Sequence, residues 1–351
     1  MVTYPSIPRG LRPIALPYDN REQWLELRKD GIGASDAAAA CGVSKYKTPY
    51  KLWAEKVGII APDDLSKNEA VEIGTLLEPQ VAELYMRRTG RKVHSVNRIL
   101  AHAEYPYIMA SLDRSAYGEN RPVELKTAGI VSPINLSDWG EPGSSKVPDA
   151  YYLQCQQQAF VRDADVVDLA AMFGGRPFAV YEIPRNDAEI AGMVYLITEI
   201  WNRILLGRDI WRRMNETKDR DEYGELEMQL RRCAPASSTI DDARLKFPHE
   251  KYGSSIIATS EIVGLVKKIA EIKKDKSEYE KAARDIDKEV KALEGTLGDF
   301  MGDNETLQDE QGNPIATYET NSRSGYYVEP SEKRSIKIEK HNPLIKKDKV
   351  A

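Results

Sequence analysis

Tyr107-Ile108-Met109-Ala110-Ser111-Leu112-Asp113, followed after a short interval by Pro122-Val123-Glu124-Leu125-Lys126, is the stretch that decides how this chain is read. Both halves are runs of aliphatic and aromatic residues, and Tyr117-Gly118 between them is a turn signal, so they read as neighbouring strands. Residues two apart on a strand face one side, so Glu124 and Lys126 project together while Leu125 points into the core. Asp113, at the end of the first strand, comes beside Glu124 across the turn. Two carboxylates and the Leu125 carbonyl are hard oxygen ligands suited to Mg²⁺ or Mn²⁺. A neighbouring ammonium can position a water or stabilise charge developing on a phosphate. The same spacing also describes an ordinary cross-strand charge pair. Glu-x-Lys occurs at Glu124, Glu216, Glu271 and Glu289, but Glu216 falls just past the helix over 187–214 and the last two fall in a heptad-patterned helix, where they read as solvated charges.

Upstream of these strands the chain reads as helical. A short helix spans 21 to 29; Gly31-Ile32-Gly33 breaks it, and Ser35 opens an Ala-rich helix ending near Gly42. Further helices run from about Pro49 to Val57 and from Asn68 to Thr89. Strands are expected over 92–96, 98–103, 107–112 and 122–126. A Gly/Pro/Ser loop from 131 to 148 leads to a helix over 149–161, two strands (166–173 and 178–183) and a helix over 187–214. This order makes a mixed α/β core rather than a regular βαβ repeat. Past Cys233 a Ser/Pro-bearing stretch reads as a linker. From Ile262 to Phe300 apolar residues then alternate at intervals of three and four, interrupted only by Lys276. Such a helix self-associates, docks onto its own core or engages a partner. A hairpin around Gln311-Gly312-Asn313-Pro314 follows, and the tail over 332–349 holds seven Lys/Arg against three Asp/Glu. The expected organisation is a core domain over 1–235, a linker over 236–260, the long helix over 261–301, and a hairpin with a basic tail over 302–351.

Composition removes several function classes. The 351 residues carry 50 Lys+Arg and 55 Asp+Glu, a net charge of −5, which argues against a uniformly basic protein that wraps nucleic acid. Three scattered cysteines form no closed disulfide framework, and four scattered histidines supply neither zinc spacing nor a His-based triad. Catalysis therefore rests on carboxylates, lysine or hydroxyls. No apolar run approaches the roughly 18 residues of a membrane span, and the start of the chain lacks a secretory core, so a soluble cytosolic protein is expected.

Asp113 and Glu124-Leu125-Lys126, together with Gly74-Thr75-Leu76-Leu77-Glu78-Pro79 upstream and Tyr151-Tyr152-Leu153-Gln154 downstream, resemble the YqaJ-like viral recombinase and phage lambda exonuclease family of PD-(D/E)xK nucleases. The resemblance spans roughly Trp24 to Arg185; Leu112 stands where the superfamily name has proline, a position that carries no ligand. It implies a restriction-endonuclease-like core, a mixed central sheet flanked by helices, here extended by the C-terminal helix and hairpin. It also implies that Asp113, Glu124 and the Leu125 carbonyl bind Mg²⁺ (or Mn²⁺), two ions per site, and that Lys126 activates or orients the attacking water. Glu78 faces the same site, as a ligand or through water, and Gln154 lies near the metals with Tyr151 on the same helical face. Read without the resemblance, Glu78 is a helix-surface carboxylate, and Tyr151 and Gln154 belong to a polar helix face continued by Gln156, Gln157 and Gln158.

The front end fits an anion. Gly31 and Gly33 allow close backbone approach, and Ser35 begins a helix whose N–H groups favour negative charge. The resemblance places a terminal 5′-phosphate there, held by Arg28 and Ser35; otherwise Ser35 caps a helix and Arg28 is exposed. Trp24, one turn before Arg28, is more often core than a base-stacking platform. Lys45, Lys47 and Lys51, interleaved with Tyr46 and Tyr50, meet DNA backbone or form a solvated face. The expected activity is 5′-to-3′ digestion of linear duplex DNA, leaving 3′ single strands for recombination. By resemblance the partners are duplex ends, a single-strand annealing protein and further copies of the chain, in a trimeric ring, within a phage-infected or prophage-bearing bacterial cytoplasm. An endonuclease of the same fold, or a non-catalytic DNA- or protein-binding module, are the alternatives.

Overall fold

The helices begin where the sequence supplies caps. In the computed structural model, which describes residues 4–131, 134–249, 253–310, 312 and 314–317, α1 (Arg21–Lys29) starts on Asn20, whose side chain accepts from the Gln23 N–H. A single 3-10 turn (Ala34–Asp36) leads into α2 (Ala37–Ala40). α3 (Pro49–Val57) is capped by Thr48, with Pro in its first turn, and stops at Gly58 in the left-handed region. α4 (Glu69–Thr89) is capped by Asn68 and stops in the same way at Gly90. Ser35 does not take the capping role expected of it. It lies inside the 3-10 turn, and its hydroxyl accepts from Arg28 instead.

The chain divides into two units, Met1–Phe247 and Pro248–Ala351. In the first unit the strands form two sheets. One, in the order β1-β4-β5-β2, comprises β1 (Ile14–Pro17), β2 (Ile32–Gly33), β4 (Arg98–Ala101) and β5 (Ile108–Ser111). The other, β3-β6-β7-β8-β9, comprises β3 (Val93–His94), β6 (Arg114–Ala116), β7 (Pro122–Ala128), β8 (Val166–Phe173) and β9 (Arg176–Pro184). The mixed α/β core is as expected, but its sheet is split where the sequence suggested one continuous strand and a turn. The split falls at Leu112-Asp113, between β5 and β6. There the Asp113 carboxylate, rather than a strand carbonyl, accepts the Leu125 N–H at 2.8 Å. β1 and β2 escaped the sequence reading because one is a short Pro-bounded strand and the other has two residues.

β7 pairs parallel with β8, Glu124 opposite Leu169 and Leu125 opposite Ala170, and α5 (Asp149–Arg162) lies in the connection between them. Strand alternation sorts the faces. Val123, Leu125 and Ala170 pack with Val81, Ala82 and Tyr85 of α4, whereas Val167, Leu169 and Ala171 pack with Cys155 and Ala159 of α5. Glu124 and Lys126 are on the α5 side. α6 (Asp187–Glu216) is long and apolar enough to cross a membrane, but Ile190, Ile197 and Ile204 are fully buried in the core with Leu52 and Trp53 of α3.

α3 and α6 meet at Gly207. A Cβ there would lie 2.8 Å from Val57 Cγ2 and 3.0 Å from Trp53 Cζ2, and Trp53 is fixed by its indole N–H, which donates to the Arg203 carbonyl at 3.0 Å. Gly207→Val is therefore expected to lower stability by roughly 1–3 kcal/mol through overpacking, read as a shift of the denaturant midpoint; an unchanged midpoint would show that the two helices part freely.

Two further helices close the first unit. α7 (Arg220–Cys233) buries Leu226, Leu230 and Cys233 on one face, a stripe that its many charges hid from the sequence reading. α8 (Ile240–Lys246) occupies the segment read as a linker. Thr239 and Asp242 form a capping box there, and buried Asp242 also accepts from the Thr48 hydroxyl at 2.6 Å, so this segment is part of the core unit. In the second unit, α9 (Ser260–Met301) is a helix of 42 residues. It is followed by the hairpin of β10 (Thr306–Gln308) and β11 (Pro314–Thr317). The basic tail over 332–349 lies outside the described residues.

Candidate functional site

Glu124 is 2% exposed, an unusual place for a carboxylate, and both of its oxygens are engaged by polar side chains. Lys126 Nζ lies 2.6 Å from its Oε1. Gln154 bridges the two: its oxygen accepts from Lys126 Nζ at 3.1 Å, and its nitrogen donates to Glu124 Oε1 at 2.6 Å. Gln158, one turn further along α5, donates to Glu124 Oε2 at 2.5 Å. The ring of Tyr151 lies 4.9 Å from the Lys126 ammonium. Burial disfavours the charge on Lys126, but the Glu124 and Asp113 carboxylates outweigh it and raise its pKa, so it is a fixed cation.

Asp113 sits in the break between β5 and β6. Burial and the adjacent Glu124 push its carboxyl up to about 7, against the opposing pull of Lys126 and the Leu125 N–H. Two carboxylates thus share a site with less positive charge than they require. Glu78, on α4, is held by Arg114 Nη1 at 2.6 Å, and the same guanidinium nitrogen donates to the Asp113 carbonyl.

Glu78, Asp113, Glu124, Leu125, Lys126 and Gln154 line one cavity of about 350 Å³, which also reaches Trp24, Arg28, Ser35, Gly74 and Thr75. Arg28 donates to the Ser35 hydroxyl at 3.0 Å and to Asp36 at 3.2 Å, and lies 4.6 Å over the Trp24 ring. The Trp24 indole N–H donates to Ser111. The turn between α1 and β2 is clamped by Lys56, whose ammonium donates to the carbonyls of Arg28 and Gly31; burial lowers its pKa to about 8. Sequence elements far apart therefore bring Arg28, Ser35, Glu78, Asp113, Glu124, Leu125, Lys126 and Gln154 to the same space.

Lys45 is not among them; it pairs with Asp138 at 3.3 Å, while Lys47 and Lys51 are engaged by Glu55 and Asp63. Gln156, Gln157 and Gln158 are not a polar surface. All three are buried, and Gln157 donates to the Ile32 and Met109 carbonyls, tying α5 to the first sheet. Gln158, Arg114 and Asp36 are the site residues that the sequence reading missed. A second cleft, of about 530 Å³, is lined by Arg12, His94, Tyr117 and Asp163 among others; Asp163 is already paired with Arg9 and Arg185.

Residues 23–165 match the family described as the YqaJ-like viral recombinase domain. This segment is similar to that domain. The chain is 37% identical over 191 residues to the uncharacterized protein YqaJ of Bacillus subtilis (strain 168), covering 54% of this chain and 57% of that protein. It thus spans little more than half the length of this relative. Among solved structures, an alkaline exonuclease (LHK-Exo) from Laribacter hongkongensis aligns with a TM-score of 0.47 and 21% identity, over 56% of this chain and 98% of its own. A phage related exonuclease from Haemophilus somnus 129PT aligns with a TM-score of 0.38 and 12% identity, over 50% and 95%. The matched segment contains every cavity-lining residue named above, from Trp24 to Gln154.

Proposed function

We propose that the YqaJ-like domain is a Mg²⁺-dependent deoxyribonuclease that hydrolyses one strand of linear duplex DNA from its 5′ end, leaving 3′ single strands for recombination by strand annealing. The observation that carries this reading is one cavity that joins a buried carboxylate pair and a fixed ammonium to a guanidinium and hydroxyl suited to a terminal phosphate.

Asp113, Glu124 and the Leu125 carbonyl would hold the metal, in a two-ion site. The donor set fits: all its donors are hard oxygens, and the two carboxylates lie side by side in a buried setting where a divalent cation would offset both the burial and the repulsion between them. Among the described residues no three His, Cys, Asp or Glu side chains cluster, so water and phosphate oxygens would have to complete the coordination of an ion held by these donors. When bound, the metal polarises the phosphate and supplies a more acidic water. Lys126, a cation at neutral pH, orients that water and balances charge on the phosphate instead of removing a proton itself. Gln154 fixes Lys126 relative to Glu124. Glu78, restrained by Arg114, completes the acidic wall through water.

Arg28 and Ser35 would grip the 5′-phosphate. Stacked on Trp24, the guanidinium is ordered before DNA arrives, so less side-chain entropy is lost on binding. A hydrogen bond to a charged group contributes about 1.5–3 kcal/mol, so Arg28→Ala is expected to slow digestion of 5′-phosphorylated duplex by roughly tenfold to a hundredfold. It should also erase any preference over a 5′-hydroxyl end. Time courses on linear duplex with and without 5′-phosphate, on nicked circles and on closed circles, with Mg²⁺ and with chelator, test the whole reading. Equal rates on both kinds of end would remove the phosphate grip, and cutting of closed circles would make the activity endonucleolytic. The proposal extends to partners: duplex DNA ends, a single-strand annealing protein, a homo-oligomer such as a trimeric ring, and the bacterial cytoplasm as compartment.

A further inference from the structure

We propose that α9 pairs antiparallel with α9 of a second copy of this chain. The helix rises about 1.5 Å per residue, so its 42 residues form a rod of roughly 60 Å. Among the described residues the large hydrophobic side chains of its seam are exposed, Leu297 at 38%, Leu293 at 66% and Tyr279 at 78%. Soluble surfaces rarely present so long an apolar stripe without an occupant. Spacing by three and four throughout is the pattern of a coiled-coil seam.

Charge and side-chain size identify the occupant and its direction. In a parallel, in-register pair each seam residue meets itself, so Lys276 faces Lys276, Tyr279 faces Tyr279 and Ala283 faces Ala283. That arrangement sets two ammoniums together and places a crowded layer next to an empty one. The flanking positions are also wrong for it: Lys268 meets Lys273, Asp275 meets Glu280, and Glu289 meets Glu294.

Reversing one helix about the level of residue 281 changes every one of these contacts. Tyr279 then meets Ala283, large against small, and Lys276 meets Ile286, with Asp287 of the other copy next in sequence. Ile269 meets Leu293, and Ile272 meets Val290. On the flanks Lys268 now faces Glu289 and Lys273 faces Glu294, each pair occurring twice by symmetry. One like-charge flank, Glu280 with Asp287, remains. Both flanking lysines, Lys268 and Lys273, lie in the first half of α9 and meet Glu289 and Glu294 of its second half only when one helix is reversed. The inference does not rest on the nuclease reading.

Sedimentation of the full chain over a range of concentrations tests the pairing. Lys268→Glu and Glu289→Lys should each weaken self-association by about tenfold, and the two together should restore it. A parallel pair predicts the opposite sign for Lys268→Glu, which would then face Lys273. For direction, protein carrying Leu265→Cys mixed with protein carrying Leu297→Cys should form a covalent dimer on oxidation, which neither forms alone. Cross-linking of Leu265→Cys protein to itself would overturn the antiparallel arrangement. Unchanged association in both charge variants, with no cross-link, would show that the seam is covered by its own chain or by a different partner, and would overturn the proposal.

Discussion

Glu124→Gln should lose at least about a thousandfold in Mg²⁺-dependent digestion of linear duplex while leaving the fold intact, and Lys126→Ala should fall comparably. The asymmetry between activity and stability follows from the surroundings of Glu124. Its two oxygens accept from Lys126, Gln154 and Gln158. A neutral amide of the same shape loses its charge toward the metal and toward Lys126 but still fills the space. The one new conflict, an amide nitrogen facing Gln158, has a built-in remedy. Gln158 Oε1 is buried without a partner, so rotating that amide presents an acceptor to the new donor. An unmodified denaturant midpoint combined with lost activity is the expected result. Full activity in either purified variant would remove the carboxylate–lysine pair from the chemistry, and with it the proposed reaction. Lys126→Ala separates binding from catalysis as well. Because the ammonium is held by Glu124 and Gln154, its loss should lower kcat more than it raises KM.

How much of this site was legible in the sequence depended on whether a residue's role is set by local spacing or by distant contacts. Glu124 and Lys126 were assigned to one face of a strand by the two-residue repeat alone, and β7 shows them there, with Leu125 packed on α4. The bounds of α1, α3, α4 and α5 were legible to within a residue or so because Asn, Thr, Pro and Gly act within one turn of a helix end. Convergence was less accessible. Nothing near Gln158 announces that its side chain reaches Glu124, or that Gln157 reaches carbonyls of Ile32 and Met109; a run of glutamines looks like surface until its partners, more than thirty residues away, are in place. The break at Asp113 was hidden for a related reason. A side chain that substitutes for a backbone acceptor leaves no periodic trace, so one interrupted strand read as a strand and a turn. Arg28 and Ser35 could be nominated for an anion, but their arrival at the same cavity as Glu124 is a property of the tertiary structure.

Asp168→Ala should cost about 3–5 kcal/mol of stability with little effect on the activity of the molecules that remain folded. Asp168 is fully buried, on the α4 side of β8, opposite in sense to Glu124. Its carboxylate accepts from the Tyr85 hydroxyl and from Arg121 Nη1, both at 2.5 Å, with Arg91 at 3.9 Å. Burial and the neighbouring carboxylate raise the pKa of Tyr85, so its hydroxyl remains a donor. Truncating Asp168 removes the acceptor of the Tyr85 hydroxyl and the buried partner of Arg121, which keeps only the more exposed Glu119 at 3.2 Å and Glu182 at 3.4 Å. Tyr85→Phe removes only one neutral donor from a carboxylate still paired with arginine, and should cost about 1–2 kcal/mol, within the range for one hydrogen bond to a charged group. The ordering of the two variants in urea is therefore diagnostic. If Asp168→Ala and Tyr85→Phe shift the midpoint equally, the arginines contribute nothing and solvent takes over their pairing. If instead Asp168→Ala abolishes digestion while the protein stays folded, the Asp168–Tyr85–Arg121 cluster is coupled to the cavity, and its assignment to a purely structural role fails.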